Sequence, residues 1–581
     1  MLRRSVARLP PQGSLHRFAS SSARKSFRPR SYLGPTAGIT LASVFCYYST
    51  CTPVRNDAPQ ESREGVAPVG WNLPQTDDSV APIVCGSNDH HVLTPTKSTD
   101  PIRAPAFTTW FDEKTALRHL ALHEKHGVCA DAQGDVYQWG DGFEATTGKR
   151  APTLTLRGKD IIHVEVSEDR VFALSASGSI YALPSQLSDR TDWPPPPSSS
   201  WYDVSRVWRS APLQGVILLK TDSREKFTSI AAGRDHLLAL TSQGRVYAHA
   251  FNLSSNASGQ LGYRKLDVPD PSSSTPLDAP RIPIELIPKS LKDPFAKATP
   301  QTRRKPTEAT EELNSAISGG LAINDKLFEI PSLREVTISQ IAAGGRTSFA
   351  LTDTGRALGW GNNENGQVGL GSNVMLDTIT IPTEIVLSRG APSKSQTSCL
   401  NITAGGDLAC FTVERRDNKL GSTPLVDVLM CGNGQWGGLG NNMFNNSQGY
   451  PVRAKNVSGL IEYSEELHKV IAIRPYAVSV SPTGHVLLAL DTLKEAGGGV
   501  GGRDLMVWGT NQASELGNEK RSSVAAPTHL ASSEGGERVM LRRKTVAEVR
   551  SLAGKVWKKN VTVEQRAVGG YRSSIIYWSC K

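Results

Sequence analysis

The chain has 581 residues, enough for a large core, and a formal net charge of +10. That charge is concentrated: residues 1–56 carry nine Lys/Arg and no acidic residue, which leaves 56 basic against 55 acidic residues in the rest. A nearly neutral remainder argues against a dedicated nucleic-acid binder. The eight cysteines, with no CxxC pair and no Cys/His spacing, exclude a disulfide framework or a zinc module.

In chain order, the first predicted element is the acid-free, Arg- and Ser-rich stretch at 1–30. It has the composition of a mitochondrial transit peptide. Residues 31–54 follow, uncharged between Arg30 and Arg55 and long enough to span a bilayer if helical. They are read as a candidate transmembrane anchor, diluted by Gly, Pro, Ser and Thr. The side of the membrane on which the rest of the chain lies is left open. Residues 55–80 are polar and Pro-containing and read as a linker.

From residue 81 the chain repeats. A short apolar strand ending in a Gly-rich turn recurs as "PIVCGSN" (82–88), "DVYQWGDG" (135–142), "SIYALPSQ" (179–186) and "RVYAHAFN" (245–252). It returns as "RALGWGNN" (356–363), "VLMCGNGQ" (428–435) and "LMVWGTNQ" (505–512). A second pattern alternates with it, clearest in "FTSIAAGRDHLLALTSQG" (227–244) and "ISQIAAGGRTSFALTDTG" (338–355). Its period-two alternation, broken by "SQG" and "DTG" turns, predicts antiparallel hairpins. Small sheets of this kind cannot bury both faces alone, and radial packing into a β-propeller solves that problem. The copies predict an all-β propeller of seven blades. The first unit opens with Val84, Cys85 and Gly86 of the "WG"-type strand, whereas the chain ends with the "AGG"-type strand at Val568, Gly569 and Gly570. N- and C-terminal strands should therefore share a blade and close the ring.

The turn "WG-N-x-x-G-Q-L-G-x-G", followed by "I-x-A-G-x-x-H-S-x-A-L-T-x-x-G", resembles the regulator of chromosome condensation repeat. The match runs over about 80–581, is strong at 227–263 and 337–371, and is degenerate at 159–184 and 471–490. The resemblance implies a seven-bladed propeller. With the transit peptide and the candidate anchor, the pattern is similar to the fungal mitochondrial inner-membrane branch of that family, implicated in assembly of respiratory complex III. It implies a non-catalytic scaffold or assembly factor at the inner membrane. The implied partners are mitochondrial proteins such as complex III subunits or assembly intermediates, not nucleic acid. The family also suggests two alternatives, guanine-nucleotide exchange on a small GTPase and RNA or mitoribosome binding.

Insertions interrupt the repeats at 184–203, 264–335 and 495–504, all read as solvated loops, with a short helix expected near "TEATEELNSAIS". The last insertion, 538–559, carries eight basic residues against Glu548 alone. Val546, Val549, Leu552, Val556 and Trp557 recur with helical spacing, which predicts a basic amphipathic helix. Such a helix could pack on the last blade with its cations solvated, or dock on anionic lipid, RNA or an acidic protein surface. Its candidate partner-binding residues are Arg542, Arg543, Lys544, Lys555, Trp557, Lys558 and Lys559. No nucleophile elbow, metal spacing or phosphate loop stands out, so no catalytic residue, cofactor or metal is expected. His123, His126 and His236 occupy repeated strand positions and are read as structural.

Overall fold

The computed structural model describes residues 79–95, 100–108, 110–143, 151–187, 216–221, 225–252, 254–262, 265–269, 281–285 and 326–372. It also describes 374, 376–390, 395–417, 423–464, 468–492, 502–530 and 538–580. The transit peptide, the candidate anchor, most of the linker and the helix expected near "TEATEELNSAIS" lie outside these residues. No helix among the described residues is long and apolar enough to cross a membrane. The last two residues of the expected linker, Ser79 and Val80, are already buried.

The described residues form strands, with short 3-10 turns only at Pro331–Leu333 and Leu387–Gly390. In the repeat containing "RALGWGNN", Ile338–Ala343, Thr347–Thr352, Ala357–Asn362 and Thr378–Glu384 pair in sequence order as an antiparallel sheet. The same order recurs in sheets that begin at Ile161, Phe227, Ser395 and Pro475, the last of which gains Met540–Leu541 as a fifth strand. In the sheet beginning at Phe227 the fourth strand, Phe328–Glu329, comes from within 264–335, so the far end of that expected insertion belongs to the repeat. Within that insertion Lys265–Pro269 and Arg281–Glu285 form a small hairpin.

The sequence leads one to expect seven separate sheets, and the structure corrects this. Five sheets stand alone, and the remaining repeat strands join in one nine-stranded sheet. The joint is a single parallel pairing, Leu117 with Ser579, between Leu117–Leu122 and Ser573–Cys580. On one side of it Val556–Gly569, Ser573–Cys580, Ile83–Gly86 and Ile102–Phe107 pair antiparallel. On the other side lie Leu117–Leu122, Gly127–Asp131, Val136–Trp139 and Thr153–Leu156. The expected meeting of the two ends is present: Val84 pairs with Ile575 and Gly86 with Ser573.

Each sheet is buried on both faces because it is sandwiched by its neighbours. In Thr347–Thr352, Ala350 packs with Leu238, Val246 and Trp360 toward the preceding sheet. Phe349 and Leu351 pack with Ile402 and Phe411 toward the following one. Alternation therefore sorts side chains between two interfaces, not between core and solvent. The first strands of consecutive sheets pack on one another from Leu117–Leu122 through to Val556–Gly569, which packs back on Leu117–Leu122.

Apolar packing between neighbouring repeats is supplemented at five places by a polar latch. The buried Trp360 donates its indole N–H to the Gln260 carbonyl in the preceding sheet's Gly-rich turn, at 2.8 Å. Trp508 does the same to Gly438, and Trp139 donates to Val92 O in the loop between Ile83–Gly86 and Ile102–Phe107, in the same nine-stranded sheet. In two repeats a cysteine replaces the tryptophan: Cys431 Sγ lies 3.4 Å from Gln367 O, and Cys85 Sγ 3.3 Å from Glu515 O. At two junctions a serine adds a second donor. Ser348 donates to Gln260 O and Ser574 to Glu515 O. Those hydroxyls sit 2.8 and 3.1 Å from Nε2 of His236 and His485. His236 is thus structural, as its repeat position suggests. Glycine after the Trp or Cys is obligatory. Gly86 has φ +106°, and a Cβ there would fall 2.6 Å from Arg572 O.

Two predictions follow from the latch. Trp360→Phe and Ser348→Ala each leave Gln260 O one donor, so each should cost about 1 kcal/mol. Together they orphan a buried carbonyl, and the double variant should lose more than the sum in a denaturant-melt cycle. Additive losses would refute the shared acceptor. Burial lowers the pKa of His236 and of His485 to about 4, against about 6.5 in an unfolded chain. The unfolded chain therefore binds more protons below about pH 6.5, and stability should fall as pH drops from there toward about 4. Replacing both histidines with Gln should flatten that slope in thermal melts, and an unchanged slope would contradict the assignment.

Candidate basic hairpin

Residues 538–559 are not a helix. Arg543–Arg550 and Val556–Gly569 form an antiparallel hairpin, with Arg543 opposite Glu564 and Val549 opposite Lys558. The turn between them closes by the Ser551 N–H bond to Lys555 O, at 2.8 Å. Val546 and Val549 are fully buried with Val80, Ala116, Ala132, Val563 and Trp578. Their three-residue spacing matches a helix, but pairing with the strand that leads into "RAVGG" wins. That strand continues an inner strand of the ring, and packing overrides local periodicity.

The hairpin separates the seven candidate residues. Arg543, Trp557, Lys558 and Lys559 come together around an open cleft of about 570 Å³. Lys544 turns to the packed side, where its ammonium donates to Ser79 O at 2.6 Å and lies 4.6 Å from the Trp578 ring centre. Lys555 is exposed at the turn, outside the cleft, and Arg542 is exposed but not among the cleft's lining residues. Among the described residues the main chain of Arg542 bonds with Gln565.

The lining also includes Glu564 and Arg566, further along the hairpin's second strand, and Tyr476 and Arg503 from the sheet beginning at Pro475. Arg503 is an ion-pair partner of both Asp491 and Glu564, and its guanidinium stacks 3.4 Å from the Tyr476 ring centre. Burial, and then a hydrogen bond to Glu564, push the Tyr476 phenol up. Among the described residues Glu564 is the sole carboxylate lining the cleft, and Arg503 engages it. Among the described residues Arg543, Lys558, Lys559 and Arg566 enter no ion pair. Lys558 sits 4.3 Å from the Trp557 ring centre. The period-two run Thr562, Glu564, Arg566 carries the signal for the missed members, once the segment is read as a strand. Tyr476 and Arg503 lie too far away in sequence to be grouped with it.

The strands form an all-β propeller, and part of the chain carries a recognisable repeat. Models of the regulator of chromosome condensation repeat match residues 227–248 and 338–367, and 354–411. The chain carries these repeats, and it is homologous at low identity to mitochondrial proteins that share them. One is Protein FMP25, mitochondrial, of Saccharomyces cerevisiae, 23% identical over 77% of this chain and 65% of that protein. Another is RCC1 domain-containing protein RUG3, mitochondrial, of Arabidopsis thaliana, 24% identical over 54% of this chain and 58% of that one. The chain thus spans less than two thirds of the length of either. Human WBSCR16 superposes with a TM-score of 0.52 at 15% identity, covering 86% of this chain and 99% of that structure. Prp20p of Saccharomyces cerevisiae gives the same score and identity over 87% and 93%. These two show the fold.

If Val549 is the hairpin's anchor, Val549→Asp should detach it, because a buried unpaired carboxylate is costly. Trypsin should then cut rapidly after Lys558 and Lys559 while the remaining sheets resist. Unchanged digestion would show that the hairpin does not depend on this packing.

Proposed function

We propose that the protein is a non-catalytic mitochondrial scaffold that supports assembly of respiratory complex III at the inner membrane. The observation that supports the mitochondrial part of this reading is the similarity to Protein FMP25, mitochondrial, over 77% of the chain. The acid-free, Arg-rich residues 1–56 support the same compartment. In this reading the nine-stranded sheet is two blades fused at the Leu117–Ser579 pairing, and the ring has seven. A closed ring with long insertions is suited to holding partners by surface complementarity, without a chemical step. Residues 31–54 would tether it to the inner membrane.

Two measurements test the proposal. Removing residues 1–30 should leave the protein in the cytosol, and unchanged mitochondrial import would reject the targeting claim. Depleting the full-length protein should lower assembled complex III on native gels while other respiratory complexes persist. Normal complex III after depletion would reject the assembly role.

A further inference from the structure

We propose that the cleft beside the hairpin receives an extended, Asp/Glu-rich segment of a partner protein. The inference rests on the scaffold reading and names the chemistry of one docking partner. Four cations, Arg543, Lys558, Lys559 and Arg566, line one concavity of about 570 Å³. Among the described residues the lining holds a single carboxylate, that of Glu564, and it is engaged by Arg503. Uncompensated like charge in a concave site focuses a positive potential toward solvent and attracts an anionic ligand. The two guanidiniums suit bidentate contact with carboxylates, and the two ammoniums add point charges.

Shape and surroundings select among anionic partners. A bilayer surface is broad, whereas the cleft is concave and lined by Tyr476, Arg503 and residues of the Val556–Gly569 strand. Membrane insertion also needs a contiguous apolar face. The hairpin's Val546 and Val549 are spent inside the protein, leaving Val556 exposed at its turn end. Single-stranded nucleic acid binds by stacking bases on aromatic faces. Tyr476 already carries Arg503 on its ring, and Trp557 carries Lys558. An extended peptide needs neither. It would find carboxylate partners in the cations and hydrogen-bonding groups in Asn560, Thr562 and Ser579, which also line the cleft.

The test is fluorescence anisotropy of a labelled Asp/Glu-rich peptide with the full chain, at low and high salt. The peptide should bind, weaken with salt, and lose roughly tenfold or more in affinity to the triple variant Arg543→Gln, Lys558→Gln, Lys559→Gln. Lys555→Gln, outside the cleft, should bind as the unaltered protein does. Circular dichroism melts check the fold, and if the triple variant melts early, Lys559→Gln alone should still weaken binding severalfold. No binding by the unaltered chain, or equal loss in Lys555→Gln, would overturn the proposal. So would tighter, cleft-dependent binding of anionic vesicles or of a single-stranded RNA oligomer. The readout is binding by the isolated chain, so it stands or falls separately from complex III levels in cells.

Discussion

The ring depends on a carbonyl. At five places the turn after a third strand aims a main-chain oxygen at the next repeat. A buried Trp or Cys of that repeat donates to it, as Trp360 does to Gln260 O and Cys85 to Glu515 O. Apolar packing supplies most of the attraction between sheets but is not directional. The donor–acceptor pair fixes how one sheet is rotated and offset against the next. An unmet carbonyl at that depth would cost more than the bond itself gains. At the two junctions that also carry His–Ser pairs, four groups share the same register.

The same device explains how the ends meet. Ser573–Cys580 pairs with Ile83–Gly86, so the last strand supplies the middle of a sheet begun near the other end. Cys85 and Ser574, from those two strands, converge on Glu515 O of the preceding sheet. The inner strand of that composite sheet, Val556–Gly569, runs on past it into the basic hairpin. The position of the candidate site is therefore set by ring closure. Its inner face is anchored by Val546 and Val549, and its cations are left for solvent or a partner.

Much of the fold was legible in the sequence because its constraints are local and repeated. The Trp-Gly or Cys-Gly step, the turn glycines and the period-two strands announce the sheets one by one. Pairing of residues around Val84 with the terminal "AVGGYRSSIIYW" could be read from the phase of the two patterns. The joining of two strand sets through Leu117 and Ser579 could not, since a single parallel contact leaves no periodic trace. The hairpin is hidden in the sequence for a related reason. Val546, Val549, Leu552 and Val556 satisfy a helical period, and nothing within 538–559 reveals that its partner strand extends to Gly569. Of the seven residues singled out there, four line the cleft. Lys544 is diverted to Ser79 and Trp578, a contact set by the chain far upstream. Tyr476 and Arg503 enter only through the packing of neighbouring sheets.

The central claim is that the sheet made from both ends is as firmly latched as any other. Native-state hydrogen exchange read by mass spectrometry tests it most directly. The account predicts that amides of Ile83–Gly86 and Ser573–Cys580 exchange as slowly as those of Thr347–Thr352, in the middle of the ring. Early exchange of the terminal strands, with the central strands still protected, would contradict it.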